Sequence, residues 1–316
     1  MAWWKLCLFV GFITTAVLRR LLRHRRMCPS KAQLHGKTVV ITGANSGIGK
    51  EAAFKLARRK ARVVLACRNL QSAKEIVDQI QAATNNSEVV AKELNLASLK
   101  SVRQFCQQIL SEEAHIDVLI NNAGVFQCPY MKTEDGFEMQ MGVNHFGHFA
   151  LTCLLLERIK ASAPSRIIVV ASSLSKRGSI NFEDIHSEKS YNKSKAYADS
   201  KLANLLFARE LSDKVKNSGV DVIALHPGMV LTNLARHIMP GFITKCLWIP
   251  AFMLGLRTPS EGCQVLVYCS VADELKGQSG VYIGKNFEKC AFPPNAVDDN
   301  VSRKLWRLSE DLTHSK

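Results

Sequence analysis

From Thr38 to Gly49 the chain reads TVVITGANSGIG, a β-branched run followed by three spaced glycines. Glu51 to Lys60 follows with apolar residues at helical spacing, so this region predicts a strand, a glycine turn and a helix. A dinucleotide-binding turn requires that context. Gly43 permits the tight turn, Gly47 lets the backbone approach phosphates, and Gly49 allows close helix packing. The helix N-terminus then faces a pyrophosphate.

Strand-like runs alternate with helical segments along the rest of the chain. The further runs are Arg62 to Ala66, Val89 to Leu96, Val118 to Ile120, Arg166 to Ala171 and Val222 to Leu225. This alternation predicts an α/β fold with a Rossmann-type, doubly wound parallel sheet. At 316 residues and 47% hydrophobic, the chain can bury one substantial core. We therefore predict a single domain over residues 37–316, preceded by a short N-terminal extension.

The tip of the second predicted strand carries information about the cofactor. Arg62 to Ala66 is followed by Cys67-Arg68-Asn69, which contains no acid. A carboxylate at this point would accept hydrogen bonds from the adenosine ribose of NAD. Arg68 can instead pair with a 2′-phosphate, so we predict NADP(H). The alternative is an Arg68 that is only a solvated surface charge.

Tyr197 and Lys201 are separated by one helical turn and so share one helix face. An ammonium there is expected to stabilise the phenolate and to lower the tyrosine pKa from about 10. A phenol tuned in this way can pass a proton to or from a carbonyl oxygen. Helices also produce this spacing by chance. It indicates a catalytic pair only in combination with the glycine motif and with Asn121-Asn122-Ala123-Gly124.

Together these motifs resemble the short-chain dehydrogenase/reductase superfamily from about Lys37 to the C-terminal end. Within it, the chain is most similar to the membrane-anchored retinol dehydrogenases 11 to 14. The stretches that carry the narrower likeness are Thr42 to Lys50, Asn121 to Val125, Gly142 to Phe149, Ser200 to Phe207 and His226 to Gly228.

The resemblance implies roles for the catalytic residues. Hydride passes from NADPH to a carbonyl carbon while Tyr197 donates a proton to the oxygen. The second serine of the pair Ser172-Ser173 orients that oxygen, so Ser173 is chosen as the catalytic and substrate-binding serine over Ser172. Lys201 tunes Tyr197 and binds the nicotinamide ribose. Asn144 holds a water that relays protons to Lys201, or it is only a helix-bending asparagine.

The resemblance also implies a set of cofactor contacts. They are Gly43, Asn45, Ser46, Gly47, Ile48, Gly49, Arg68, Asn95, Leu96, Asn122, Ala123, Gly124, Tyr197, Lys201, Pro227, Gly228 and Thr232. The family usually has Asp where Asn95 stands, and the amide of Asn95 keeps a hydrogen-bond acceptor for the adenine and adds a donor. The loop between Ser173 and Tyr197 is long, as in the retinol dehydrogenases, but has Lys176-Arg177 where that group often has two histidines.

The first 26 residues predict a membrane anchor. Trp3 to Leu18 is apolar except for Lys5 and two threonines, and a basic cluster from Arg19 to Arg26 follows. Because the charges come after the apolar run, a cleaved signal peptide is disfavoured. The positive-inside rule places the domain on the cytosolic side, at the endoplasmic reticulum or alternatively a mitochondrial membrane. An interfacial amphipathic helix is the main alternative to a spanning one.

A second apolar stretch, at about residues 236–257, includes Phe242, Leu247, Trp248 and Phe252. Such a stretch is too apolar for an ordinary exposed loop, so we predict a substrate lid that touches the membrane, with simple core packing as the alternative. The formal net charge of +15 also suits an anionic membrane. The sequence has no basic stripe interleaved with aromatic residues, so nucleic-acid binding is not expected. The ten cysteines form no Cys-x-x-Cys pair, so no metal is expected.

We therefore expect an NADPH-dependent reductase of a small lipophilic carbonyl compound, with retinal first by resemblance. A fatty-aldehyde reductase and a sterol or steroid ketone reductase are alternatives within the same chemistry. A non-catalytic membrane scaffold is the alternative from another class, but such proteins usually lose the tyrosine or the lysine. A serine hydrolase is disfavoured because there is no Gly-x-Ser-x-Gly elbow. The chain could form a homodimer, which the sequence does not determine.

Overall fold

The computed structural model describes Trp3 and residues 10–15, 27–230 and 256–314. Most of the predicted anchor, almost all of the predicted lid and Thr232 therefore lie outside the described residues. Within the described ranges, no helix is both long enough and apolar enough to cross a membrane. The domain itself is described almost throughout.

In the described residues, eight strands form one sheet in the order β3-β2-β1-β4-β5-β6-β7-β8. The strands are β1 (Thr38–Thr42), β2 (Arg62–Cys67), β3 (Val89–Glu93), β4 (Val118–Asn121), β5 (Ser165–Val170), β6 (Val220–Leu225), β7 (Val281–Ile283) and β8 (Lys289–Cys290). Neighbouring strands are parallel except for β7 and β8. The predicted Rossmann-like α/β sheet is confirmed.

Helices cover both faces of the sheet. The longer ones are α1 (Gly47–Arg58), α2 (Leu70–Thr84), α3 (Leu99–Glu112), α4 (Gly147–Ala161), α5 (Lys193–Lys214), α6 (Gln264–Val271) and α7 (Asp299–Thr313). Val40 faces the core formed with α3, α4 and α5, whereas Val39 and Ile41 face the core formed with α1, α2 and α6. Both faces are buried, which is why the strands are continuous apolar runs and not alternating ones.

One boundary differs from the predicted one. The helix after the glycine turn begins at Gly47, before the Glu51 expected from apolar spacing, because glycines are part of its first turn. Elsewhere, a π-helical turn, Gly142–Phe146, joins a short helix, Met139–Met141, to α4. Wide π turns interrupt regular helix hydrogen bonding and often occur at functional sites. Asn144 lies within this turn.

The sheet order fixes where a ligand can bind. The chain runs outward from β1 to β3 and then returns to β4, which pairs with the other edge of β1. Crevices open at such a reversal, beyond the carboxyl ends of the strands. The glycine turn follows β1 and the Asn-Asn-Ala-Gly turn follows β4, so both face this crevice.

Candidate active site

The glycine turn after β1 is shaped for close approach. Gly43 and Gly47 have φ of 67° and 57°, in the left-handed region that favours glycine. A Cβ on Gly49 would lie 2.6 Å from both the Asn122 side-chain nitrogen and the Gly43 carbonyl oxygen. Any larger residue would therefore force the two turns apart. The result is an open backbone cradle at the N-terminus of α1.

The two turns are joined by the side chain of Thr42. Its hydroxyl accepts hydrogen bonds from the backbone N–H groups of Asn122 and Ala123, both at 2.9 Å. The Asn122 amide nitrogen donates to the Thr42 carbonyl oxygen at 2.8 Å. Its amide oxygen is buried and has no hydrogen-bond partner among the described residues. This unpaired oxygen beside the glycine cradle could accept a hydrogen bond from a bound dinucleotide.

Tyr197, Lys201 and the glycine cradle border one cleft of about 350 Å³. Of the predicted cofactor contacts, the cleft is lined by Gly43, Asn45, Ser46, Gly47, Ile48, Gly49, Arg68, Asn95, Leu96, Asn122, Ala123, Gly124, Tyr197, Lys201, Pro227 and Gly228. Thr232 lies outside the described residues. The fold thus gathers residues from loops that are far apart in sequence, and their individual roles stay predictions.

At the adenosine end of the cleft, Arg68 is exposed at the tip of β2. Within the described parts of the chain it makes no ion pair or side-chain hydrogen bond. The neighbouring Asn69 side chain caps α2 by accepting from the Ser72 backbone N–H at 2.9 Å. Asn95 forms a local turn, its side-chain oxygen accepting from the Ala97 N–H at 3.1 Å. The guanidinium is therefore available for a ligand.

The tyrosine and the lysine are both buried, at 6% and 4% exposed. The Lys201 Nζ donates to the Val170 carbonyl oxygen at 3.0 Å and lies 5.9 Å from the centroid of the Tyr197 ring. Burial raises the pKa of Tyr197 to about 12, opposed by a hydrogen bond with Ser172. Burial lowers the pKa of Lys201 to about 8. The expected lowering of the tyrosine pKa is therefore not found in the chain alone, because the effect of burial on this pKa outweighs that of the hydrogen bond with Ser172.

The structure places Ser172, and not Ser173, at the cleft. Ser172 lines the cleft, and its hydroxyl is a hydrogen-bond partner of the Tyr197 phenol. The backbone is extended at Ser172, and a 3₁₀ turn, Ser173–Arg177, begins at the next residue. The side chain of Ser173 is exposed. The lining of the cleft favours Ser172, whereas the resemblance implies Ser173, so the choice of catalytic serine stays a prediction.

Asn144 is fully buried, and its side chain is fully used. Its Oδ1 accepts from the Val125 N–H at 2.8 Å, and its Nδ2 donates to the Val125 carbonyl oxygen at 3.0 Å and to the Ser200 hydroxyl at 2.9 Å. These bonds hold the loop after the Asn-Asn-Ala-Gly turn against α5. A water relay through Asn144 stays a prediction.

One residue of this network, His148, did not stand out in the sequence. His148 is buried, and its Nε2 lies 2.8 Å from the Thr42 hydroxyl while its Nδ1 lies 3.1 Å from the Asn144 carbonyl oxygen. Burial lowers the pKa of His148 to about 3, so the imidazole is neutral. The Asn144 carbonyl oxygen can only accept, so Nδ1 carries the proton and Nε2 accepts from the Thr42 hydroxyl. The repeated histidine in GVNHFGHF was the available signal.

Comparisons with known proteins agree with this geometry. Residues 37–241 match the family model described as short chain dehydrogenase. Human retinol dehydrogenase 14 is 52% identical over 290 residues, covering 88% of this chain and 86% of that protein. Human retinol dehydrogenase 11 is 44% identical over 307 residues, covering 96% and 94%.

Solved structures give the same result. A crystal structure of an uncharacterised protein from Mycobacterium paratuberculosis is 34% identical, with a TM-score of 0.73, covering 91% of this chain and 97% of that one. An NAD(P)-dependent gluconate 5-dehydrogenase from Beutenbergia cavernae, crystallised with NADP, is 26% identical, with a TM-score of 0.63, covering 80% and 96%. This chain is therefore a nicotinamide-dependent oxidoreductase of the short-chain dehydrogenase/reductase family, within the group of retinol dehydrogenases 11 to 14.

Proposed function

We propose that this chain is an NADPH-dependent enzyme that interconverts a lipophilic aldehyde and its alcohol, with retinal and retinol as the first pair to test. The observation that carries the proposal is the grouping of Ser172, Tyr197 and Lys201 at one end of a cleft whose other end is the glycine cradle. The substrate class is supported by the 52% identity to human retinol dehydrogenase 14.

The geometry supports a simple proton path. A nicotinamide group, when bound, supplies or accepts the hydride. Tyr197 is protonated at neutral pH, because its pKa is about 12, and so can donate a proton to a carbonyl oxygen. Ser172 lies beside the phenol and orients that oxygen. Lys201 is charged below about pH 8 and stabilises the phenolate that remains.

NADP(H) is the cofactor that suits the tip of β2. Arg68 is exposed there, and its sequence neighbours Cys67 and Asn69 are uncharged at neutral pH. A guanidinium can bind a 2′-phosphate through two parallel hydrogen bonds, and neither sequence neighbour of Arg68 is a carboxylate. The free ribose of NAD offers no such charge.

The enzyme is proposed to act at a membrane, with residues 1–26 as the anchor and the domain in the cytosol. Cys28, two residues after the basic cluster, is joined to the domain, since its backbone N–H donates to the Gln264 side chain at 3.0 Å. The endoplasmic reticulum is our first choice of membrane. The apolar segment at about 236–257 is proposed as the lid, because Val230 and Arg257 pair with each other and Val230 lines the cleft.

The test uses the full chain in detergent micelles, with NADPH or NADH and with retinal, nonanal or a steroid ketone. We expect NADPH-dependent reduction of the aldehydes. Tyr197→Phe should lower kcat by about 100-fold or more, since general acid catalysis contributes on that order, while NADPH still binds. If the folded protein binds NADPH but reduces none of the three carbonyl compounds, this would support the alternative of a non-catalytic membrane scaffold. Preference for the steroid ketone would correct the substrate class.

A further inference from the structure

The loop that follows the Asn-Asn-Ala-Gly turn places an aromatic ring against the catalytic tyrosine. The ring centroids of Phe126 and Tyr197 lie 4.5 Å apart with an interplanar angle of 77°, an edge-to-face contact. Val125, the preceding residue, lines the cleft. Phe126 therefore packs on the ring of the proposed proton donor, next in sequence to a residue that lines the cleft.

The backbone is clamped on the N-terminal side of Phe126. Both polar backbone groups of Val125 are bonded to the side chain of Asn144, at 2.8 and 3.0 Å. Asn144 has no exposed surface. Moving Phe126 away from Tyr197 would break two buried hydrogen bonds, each costly to leave unmade.

A second buried amide clamps the other side. The Gln140 Oε1 accepts from the Gln127 backbone N–H at 2.7 Å, and Gln140 has no exposed surface. Gln127 has a φ of 48°, in the left-handed region that non-glycine residues seldom adopt. Such a conformation persists only where the surroundings enforce it. Gln140 thus fixes the backbone immediately after Phe126.

Gln140 also sets the distance from this loop to α5. Its Nε2 donates to the Tyr191 hydroxyl and to the Lys193 carbonyl oxygen, both at 2.9 Å. Lys193 is the first residue of α5, the helix that carries Tyr197. The Tyr191 hydroxyl in turn donates to the Cys128 carbonyl oxygen at 2.8 Å. Gln140 is therefore one of the side chains that join the loop to the helix.

We propose that Phe126 is a specificity-determining residue that admits aldehydes and hinders ketones, and that Gln140 is the positioning residue that keeps its ring in place. This inference rests on the proposed reductase function. An aldehyde carbon carries one hydrogen, so it needs less room beside the phenol than a ketone carbon with two carbon substituents. A wall that cannot retract turns this difference into selectivity, and one carbon in a tight pocket is worth about 10–200-fold.

The test compares nonanal with 2-decanone, using NADPH and the full chain in detergent. We expect Phe126→Ala to raise the ketone-to-aldehyde ratio of kcat/KM by about 10-fold or more. Met131→Ala, an exposed residue of the same loop, is the matched control and should leave the ratio unchanged. A ratio within twofold of wild type in Phe126→Ala would overturn the role of Phe126.

Gln140→Met removes the clamp while nearly keeping the side-chain volume, and Tyr191→Phe removes only one hydroxyl in case the first variant folds poorly. Both should raise the same ratio without weakening NADPH binding. If both variants have a lower melting temperature but an unchanged ketone-to-aldehyde ratio of kcat/KM, the role of Gln140 is only structural. Wild type that reduces both compounds equally would overturn the specificity inference and leave the reductase function standing. Wild type that reduces neither would defeat both.

Discussion

The ammonium group of Lys201 donates a hydrogen bond of 3.0 Å to the backbone carbonyl oxygen of Val170. Val170 ends β5, the strand that leads to Ser172, whereas Lys201 lies on the helix that carries Tyr197. This hydrogen bond therefore fixes the position of the strand that leads to Ser172 relative to the helix that carries Tyr197. It also holds the lysine in a buried position, where its charged form is disfavoured.

The pKa of Lys201 predicts a pH dependence of cofactor binding. Burial lowers this pKa from 10.5 to about 8, so the ammonium loses its proton as the pH rises through about 8. NADPH affinity should fall across that range, because a positive charge near the ribose and phosphates is lost. Titration from pH 7 to 9.5 checks this. Lys201→Met should bind weakly without the step, while Lys193→Met, an exposed lysine on the same helix, should retain it.

Ser172 and Ser173 form a matched pair for mutation. Ser172→Ala removes a hydroxyl that reaches the Tyr197 phenol, so kcat should fall about 100-fold with little change in NADPH affinity. Ser173→Ala alters an exposed side chain and should stay within about twofold of wild type. Steady-state kinetics with an aldehyde checks both. If Ser173→Ala lost activity and Ser172→Ala did not, Ser173 would be the catalytic serine.

Arg68→Asp should reverse the cofactor preference. A carboxylate at the tip of β2 repels a 2′-phosphate and accepts hydrogen bonds from a free ribose. We expect kcat/KM for NADPH to fall and that for NADH to rise, measured with one aldehyde at fixed concentration. Arg58→Asp, at the end of α1 and outside the cleft, controls for the change in net charge. Equal use of NADH by wild type would disprove the NADP(H) assignment.

The proposed orientation can be tested at three Asn-x-Ser sequons. Asn85, Asn192 and Asn300 are all exposed, so a lumenal domain would present them to the glycosylation machinery. In intact microsomes we expect a protease-sensitive domain with no mobility shift after endoglycosidase treatment. Membrane association should resist carbonate and disappear when residues 1–26 are deleted. A protected and glycosylated domain would overturn the cytosolic orientation.

Local patterns were enough to predict the cofactor cradle and the Tyr197–Lys201 pair. Strand, glycine turn and helix are contiguous in sequence, and positive φ at Gly43 and Gly47 follows from the turn itself. Tyr197 and Lys201 share a helix face because four residues complete about one turn. Short-range geometry of this kind does not depend on the rest of the fold. The parallel sheet was predictable for a related reason, since buried apolar strands alternate with helices.

Tertiary structure decided what depends on direction and on burial. Ser172 and Ser173 are adjacent and chemically identical, and only the fold shows that Ser172 lines the cleft. The pKa of Tyr197 is raised because the packed domain removes the phenol from water, an effect invisible in spacing. The sequence thus determined which groups the protein has and their local order. Their orientation and protonation come from packing, because both depend on neighbours that are distant along the chain.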